Sequence, residues 1–328
     1  MGLPEFKYFQ PNTVGEALDM LAAQQGEAAL VAGGTDLIIK LKRRLANFRC
    51  LIDLKGINEL NGITSGADKI EIGALTKLST IESSSEVKNG APLLAKAASL
   101  VGGPQHRSMG TLGGNICLDT SCYYYNQSHN WRQSRPPCFK TGGDRCYVAK
   151  NSPECHAVYS GDTAPALIAQ NARIRVASPD GTTEDLLENL YSNNGKNPVK
   201  IKMNSIITAV IIPKSSPNTG FAYEKFRLRE AVDFPVVGVA AAITLDSPGG
   251  ICTQARIILN AIGTAPQRVQ AAESVLIGRK VAEAVEDVAK VAYEAARPIH
   301  KMGGSPYYKK KMVRVLTRRA IAEAGGII

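Results

Sequence analysis

Four of the seven cysteines, Cys122, Cys138, Cys146 and Cys155, fall in one stretch with the spacing C-x15-C-x7-C-x8-C. Four thiolates together suit a structural zinc ion or an iron–sulfur cube. Zinc sites commonly use close C-x2-C pairs, and this stretch has none. A loop can supply the corners of a cube at irregular intervals, so both metals stay open on spacing alone. Four unligated loop thiols would be an oxidation hazard. His129 and His156 could each replace a ligand, but four cysteines suffice. The stretch is also rich in aromatics: Tyr123, Tyr124, Tyr125, Trp131, Phe139, Tyr147 and Tyr159. They would shield a cluster from water or give a long loop its own small core. Its basic residues (Arg132, Arg135, Lys140, Arg145, Lys150) outnumber its acidic ones, which hints at an acidic docking partner. Cys50 and Cys252 lie in apolar, strand-like runs and read as packed core thiols. Cys117 follows TLGGNI and stays ambiguous.

Glycine pairs flank this stretch on its N-terminal side, in 31-VAGGTDL-37 and 111-TLGGN-115, and 160-SGDTAPAL-167 follows it. Glycines after a strand let backbone approach a ligand closely and turn N–H groups toward an anion. Neither pair is a GxGxxG fingerprint or a P-loop. Each alone is more often a tight turn. Together they suggest two loops gripping one long, doubly anionic ligand, a description that a flavin dinucleotide fits.

These groups need elements to hold them. Thr13-x-x-Glu16 is a capping box opening a helix. Residues 28–34, 48–54 and 69–75 read as strands, and 91–103 as an apolar helix ended by Gly102 and Gly103. That alternation indicates an α/β arrangement, which the segment 117–160 interrupts. Residues 163–172 read as a helix or turn and 173–178 as a strand. After a Pro/Ser/Gly-rich stretch, residues 221–229, 236–246 and 252–263 read as three successive strands. Helices follow, with Val281, Val285, Val288, Ala292 and Ala295 on one face, and Ser305-Pro306 opening the last helix. The expectation is a mixed α+β chain with units at 1–216 and 217–328.

With 328 residues, 44% hydrophobic and 21% charged, the composition is that of a soluble globular protein. No apolar run reaches the roughly 18 residues of a membrane span. The N-terminus has no signal-like apolar region, so a cytoplasmic location with reduced thiols is expected. The net charge is +10, but the basic residues are dispersed except in 309-KKKMVRVLTRR-319. Helical spacing there turns Lys309, Lys310, Arg314 and Arg318 outward, and Met312, Val313, Leu316 and Ala320 inward. No nucleic-acid footprint results.

The ordered set VAGGTDL, TLGGN, SGDTAPALIA, FAYEKFRLREAVDFPVVGVAAA and SPYYKKKMVRVLTRRAI resembles the FAD-binding subunits of the xanthine dehydrogenase, or molybdenum hydroxylase, family, across residues 4–324. The resemblance implies an FAD domain of the p-cresol methylhydroxylase type in two subdomains. It also implies a C-terminal domain like that of the carbon monoxide dehydrogenase flavoprotein. By position, Ala29, Leu30, Val31, Ala32, Gly33, Gly34, Thr35, Asp36 and Leu37 would wrap the FAD pyrophosphate. Thr111, Gly113, Gly114 and Asn115 would form a second cradle, and Asp162 would bind the adenosine side. Lys225 would lie near the flavin ring with Asp233 close by, and Val101 and Ile207 would pack on the flavin. Val232 stands where NAD-using relatives carry an acidic residue, which argues against NAD.

In most of these subunits the GGN motif runs almost directly into S-x-G-D-x-x-P. Here residues 120–159 intervene, and they hold the four cysteines. That insert resembles the 4-hydroxybenzoyl-CoA reductase branch of the family. The branch implies a [4Fe-4S] cluster on Cys122, Cys138, Cys146 and Cys155. It implies a molybdopterin-containing large subunit, a small subunit with two [2Fe-2S] clusters, assembly as a dimer of heterotrimers, and ferredoxin as donor. This chain would then relay electrons for reductive dehydroxylation of 4-hydroxybenzoyl-CoA to benzoyl-CoA and carry no catalytic residue of its own. Two alternatives remain: the FAD subunit of a hydroxylase that oxidises its substrate, and a zinc-stabilised scaffold.

Overall fold

The computed structural model describes residues 2–301 and 303–327. Three sheets organise them. The first is parallel, with β1 (Lys7–Phe9), β2 (Ala28–Val31) and β3 (Cys50–Asp53) in the order β1-β3-β2. Parallel neighbours need a crossover, and the helix Val14–Ala23 supplies one. It starts at Thr13, whose hydroxyl accepts the Glu16 amide at 3.1 Å. Its Ala17 and Leu21 pack on Cys50 and Ile52, so Cys50 is a core thiol as expected.

The second sheet contains β4 (Ile63–Ser65), β5 (Lys69–Gly73), β6 (Arg173–Ser178), β7 (Gly181–Leu186) and β8 (Ile206–Pro213), in the antiparallel order β4-β5-β8-β6-β7. Residues 74–172 therefore leave from β5 and return into the same sheet. The helices Pro92–Ser99 and Thr163–Ala169 belong to this excursion, and every residue of the second is buried.

The third sheet is antiparallel: β9 (Thr219–Phe226), β10 (Val237–Leu245), β11 (Cys252–Asn260) and β12 (Gln267–Arg268), in the order β12-β11-β10-β9. β10 has no polar side on its alternating faces. Val237, Val239, Ala241 and Ile243 meet the helices Val281–Ala295 and Pro306–Ala324, while Ala240 and Ala242 join the core of the preceding sheet. A strand covered on both faces reads as a continuous apolar run. The chain is thus a mixed α+β protein whose N-terminal and C-terminal parts share an apolar contact.

One expectation fails in the last helix. Lys309 does not face outward: it is 2% exposed, and burial pushes its amine down to about 8. Its Nζ donates to the carbonyls of Ile299 and Lys301 at 3.4 and 3.3 Å, because the preceding segment folds over the first turn. Arg314 and Arg318 are outward and pair with Glu286 on the neighbouring helix, at 3.2 and 3.5 Å.

Candidate flavin and cysteine sites

The loop after β2 is where the first glycine pair acts. Ala29 and Val31 point into the core with Leu41 and Leu51, and Leu37 and Leu30 are partly buried, so these side chains serve packing. Ala32 to Asp36 form the open part. Gly34 has φ +72°, a left-handed conformation that disfavours other residues. Gly33 lies directly against the second glycine segment: a Cβ there would stand 1.9 Å from the Met109 carbonyl oxygen and 3.0 Å from Gly110 Cα. Among the described residues, no protein group accepts the amides of Gly33, Gly34, Thr35 or Asp36. Unpaired amides on a half-buried loop are what a pyrophosphate needs.

The second segment is a support more than a donor. The Gly113 amide donates to the Ala74 carbonyl at 2.8 Å, and the Gly114 amide to Thr111 Oγ1 at 3.2 Å. Asn115 Oδ1 accepts both the amide and the hydroxyl of Thr163, at 3.0 and 2.6 Å. Thr111 caps its own loop, and Asn115 locks that loop to the SGDTAP turn. Gly114 is the exposed member of the pair.

Asp162 and Lys225 meet. The lysine Nζ donates to Asp162 Oδ2 and to the Leu100 carbonyl, at 2.8 and 2.7 Å, and the Tyr223 hydroxyl donates to Asp162 Oδ1 at 2.8 Å. Both ionic side chains are almost wholly buried. Burial pushes the Asp162 carboxyl up, and Lys225 and Tyr223 pull against it. The resemblance places them at separate ends of FAD, whereas here the two side chains form one buried ion pair. Val101 is next to the Leu100 carbonyl, and Val232 lies against Gly103, where a Cβ would come within 2.9 Å of it. Ile207 is buried in the core on which Val101 also packs. Asp233 turns to its own loop, pairing with the Arg229 guanidinium at 3.4 Å. Lys225→Met should cost on the order of 3–5 kcal/mol in urea unfolding, since it strands a buried carboxylate. A loss under about 1 kcal/mol, the scale of an exposed pair, would contradict this reading.

The insert leaves the body through an antiparallel bridge between Ser121 and Val158, with N···O distances of 2.9 and 2.8 Å. Its regular structure is little more than the short helix His129–Gln133. All four cysteines line one narrow cavity, with Tyr124, Phe139, Lys140 and Tyr147. The space between its walls is about 290 Å³, open solvent at its mouth included. Each sulfur has a donor. The Tyr125 amide reaches Cys122 Sγ at 3.2 Å, the Thr141 hydroxyl Cys138 Sγ at 3.6 Å, and the Ala149 amide Cys146 Sγ at 3.4 Å. The Ala157 amide serves Cys155. Burial pushes the Cys122 and Cys155 thiols up, and these amides counter it by favouring thiolate.

That donor set fits a cluster. A single zinc ion, with Zn–S near 2.3 Å, would draw its ligands close together. Among the described residues, no group of three or more His, Cys, Asp or Glu is spaced for one ion. Four sulfurs on one shared cavity suit a set of cluster ligands. Tyr124 stacks on Tyr147 with centroids 4.6 Å apart and meets Trp131 edge-on at 5.1 Å. Tyr159 leaves the aromatic set: it is buried in the main core against Tyr191. His156 bonds Ser152 at 2.6 Å, and neither histidine lines the cavity. Cys117 is half-buried against the core, and burial pushes its thiol up to about 12. Lys40 and Asp119, which carried no sequence signal, lie between the two segments, Lys40 pairing with Asp36 and Asp119 with Lys140.

The family model "FAD binding domain in molybdopterin dehydrogenase" matches residues 4–215, and "CO dehydrogenase flavoprotein C-terminal domain" matches 221–324. The carbon monoxide dehydrogenase medium chain of Hydrogenophaga pseudoflava is 28% identical over 323 residues, covering 98% of this chain and 97% of its own. The nicotinate dehydrogenase FAD-subunit of Eubacterium barkeri is 27% identical over 324 residues, covering 98% and 96%. A solved Hydrogenophaga pseudoflava carbon monoxide dehydrogenase chain superposes with a TM-score of 0.83 at 28% identity, over 99% of both chains. No helix among the described residues is long and apolar enough to cross a membrane. With family matches spanning both halves and relatives aligned end to end, the chain belongs to the FAD-binding subunits of the molybdenum hydroxylase family and is an FAD-binding oxidoreductase subunit.

Proposed function

We propose that this chain is the FAD and [4Fe-4S] electron-transfer subunit of a 4-hydroxybenzoyl-CoA reductase, passing electrons from reduced ferredoxin toward the [2Fe-2S] and molybdenum subunits. The observation that carries the reading is the convergence of Cys122, Cys138, Cys146 and Cys155 on one cavity, each with a donor to its sulfur. When bound, the cluster supplies one-electron steps and the flavin one- or two-electron steps. The residues do the rest. The four cysteines hold and bury the cluster, and Tyr124, Phe139 and Tyr147 limit water at its cavity. The amides of Gly33 to Asp36 bind the pyrophosphate, and the Asp162–Lys225 pair with Val101 lines the flavin end. Val232, in place of an acid, supports ferredoxin over NAD. Reduced thiolates suit a cytoplasmic setting, and the substrate pocket belongs to the molybdopterin-containing large subunit of a dimer of heterotrimers.

A second reading, the FAD subunit of a hydroxylase that oxidises its substrate, is favoured by one fact: the similar proteins named above are dehydrogenases. Purified protein should contain about four irons and one flavin per chain. Zinc without iron would sink the cluster. With iron present, bleaching of the assembled complex by reduced ferredoxin supports the reductase. Bleaching only by an oxidisable substrate supports the second reading.

A further inference from the structure

The six-residue helix Leu37–Lys42 has the FAD loop at one end and the cysteine insert at the other. Past its last turn, the carbonyls of Arg43 and Arg44 accept from Arg132 of the insert, at 2.9 and 2.8 Å. The Leu45 carbonyl accepts from the Tyr125 hydroxyl at 2.9 Å. A run of charges joins the same two places. Asp36, in the loop, pairs with Lys40 at 2.6 Å; Lys40 pairs with Asp119 at 3.1 Å; Asp119 pairs with Lys140 at 2.6 Å. Lys140 also donates to Thr120 Oγ1 and the Gly195 carbonyl, at 2.6 and 2.9 Å, and forms part of the cysteine cavity wall. The Lys40, Lys140 and Asp119 side chains are 14%, 5% and 26% exposed, so water screens these three poorly, while Asp36 at 41% is the most screened link. Burial alone would push the Asp119 carboxyl up, but the two ammonium groups outweigh it and hold it below the usual carboxylate range.

We propose that Asp119 couples the two sites, so that loading the cysteine cavity tightens FAD binding through Lys140, Asp119, Lys40 and Asp36. This rests on the reading that the insert holds a cluster and the 32–36 loop holds FAD. A loaded cavity gathers four cysteinates and a net negative charge beside Lys140, and fixes an insert with little regular structure of its own. With the cavity empty, Lys140 and Arg132 lose that anchor. Asp119, left with one partner, competes with Asp36 for Lys40, and the helix loses the donor at its C-terminal end. The FAD loop, whose amides have no protein partner, must then be ordered at the expense of FAD binding. Coupling between sites is reciprocal, so FAD should favour the loaded cavity by the same factor.

Equilibrium dialysis of FAD against the whole chain, iron-loaded and after iron removal under reducing conditions, tests this. The unmodified chain should bind FAD about tenfold more weakly without iron, inside the roughly 5–150-fold range of coupled sites. Asp119→Asn, which keeps the shape but not the charge, should bind FAD alike in both states. Lys40→Met, which leaves Asp119 and Lys140 paired, should do the same and serves if the first variant does not fold. Equal affinity in the unmodified chain with and without iron overturns the coupling, as does an undiminished tenfold effect in both variants. Iron content is measured first. A chain that never carries iron overturns the cluster reading and this inference with it; iron-loaded protein with an unchanged affinity overturns this inference alone.

Discussion

Replacing Cys138 with serine should strip the iron, or convert the cluster to one with fewer irons, while the flavin stays. Cys138 is 7% exposed and is one of the four cysteines lining the cavity, each of which the proposed cluster would use. A serine oxygen is harder and shorter-reaching than sulfur and suits iron–sulfur chemistry poorly. The flavin should persist because the residues proposed to hold it, Gly33 to Asp36, Gly114 and the Asp162–Lys225 pair, stand on the body, beyond the Ser121–Val158 bridge. FAD affinity should fall only by the roughly tenfold that the Asp119 link carries. Iron per chain and the broad iron–sulfur absorbance should drop, with the flavin bands left above them. Loss of flavin with the full complement of iron retained would mean that the two sites have been assigned the wrong way round.

The legible parts of this chain are those where residue type states a constraint. Gly34 is glycine because its φ is +72°, and a glycine pair after a strand announces such a loop. Four cysteines in one insert announce a common site, and all four line one cavity. What stays hidden depends on which surfaces meet. Asp162 and Lys225 are 63 positions apart, and only the packing of β9 beside the SGDTAP turn brings them to 2.8 Å. The resemblance therefore put them at different ends of FAD. Lys309 follows an outward helical pattern, and nothing in that pattern reveals that residues 299–301 fold back over it. β7 reads GTTEDL, polar on both faces, because it is an exposed edge strand, and its pairing with β6 leaves no periodic mark. Asp119 is an ordinary surface-type residue until Lys40 and Lys140 close on it.

Gly33→Ala should abolish tight FAD binding and leave the iron in place, a larger effect than the same change at Gly34. At Gly33 the added carbon would overlap backbone, 1.9 Å from the Met109 carbonyl oxygen and 2.6 Å from its carbon. Neither loop can yield alone. Gly110 beside it is hemmed in by His106, and the Thr111–Asn115 turn is tied to Ala74 and Thr163. The two loops must part, and the amides proposed to bind the pyrophosphate go with them. Overpacking of this kind costs on the order of 3 kcal/mol, or about a hundredfold in affinity. Gly34 has a different problem. Its added carbon would meet side chains rather than backbone, Ile38 Cγ1 at 3.2 Å and Val31 Cγ1 at 4.0 Å, and the main cost is the left-handed backbone. That strain is about 1–2 kcal/mol, or roughly tenfold in affinity. Dialysis of FAD against both variants, with iron content as the control for folding, separates the two. Native affinity in Gly33→Ala, or a greater loss in Gly34→Ala, would show that the contact with Met109 is not what shapes the flavin loop.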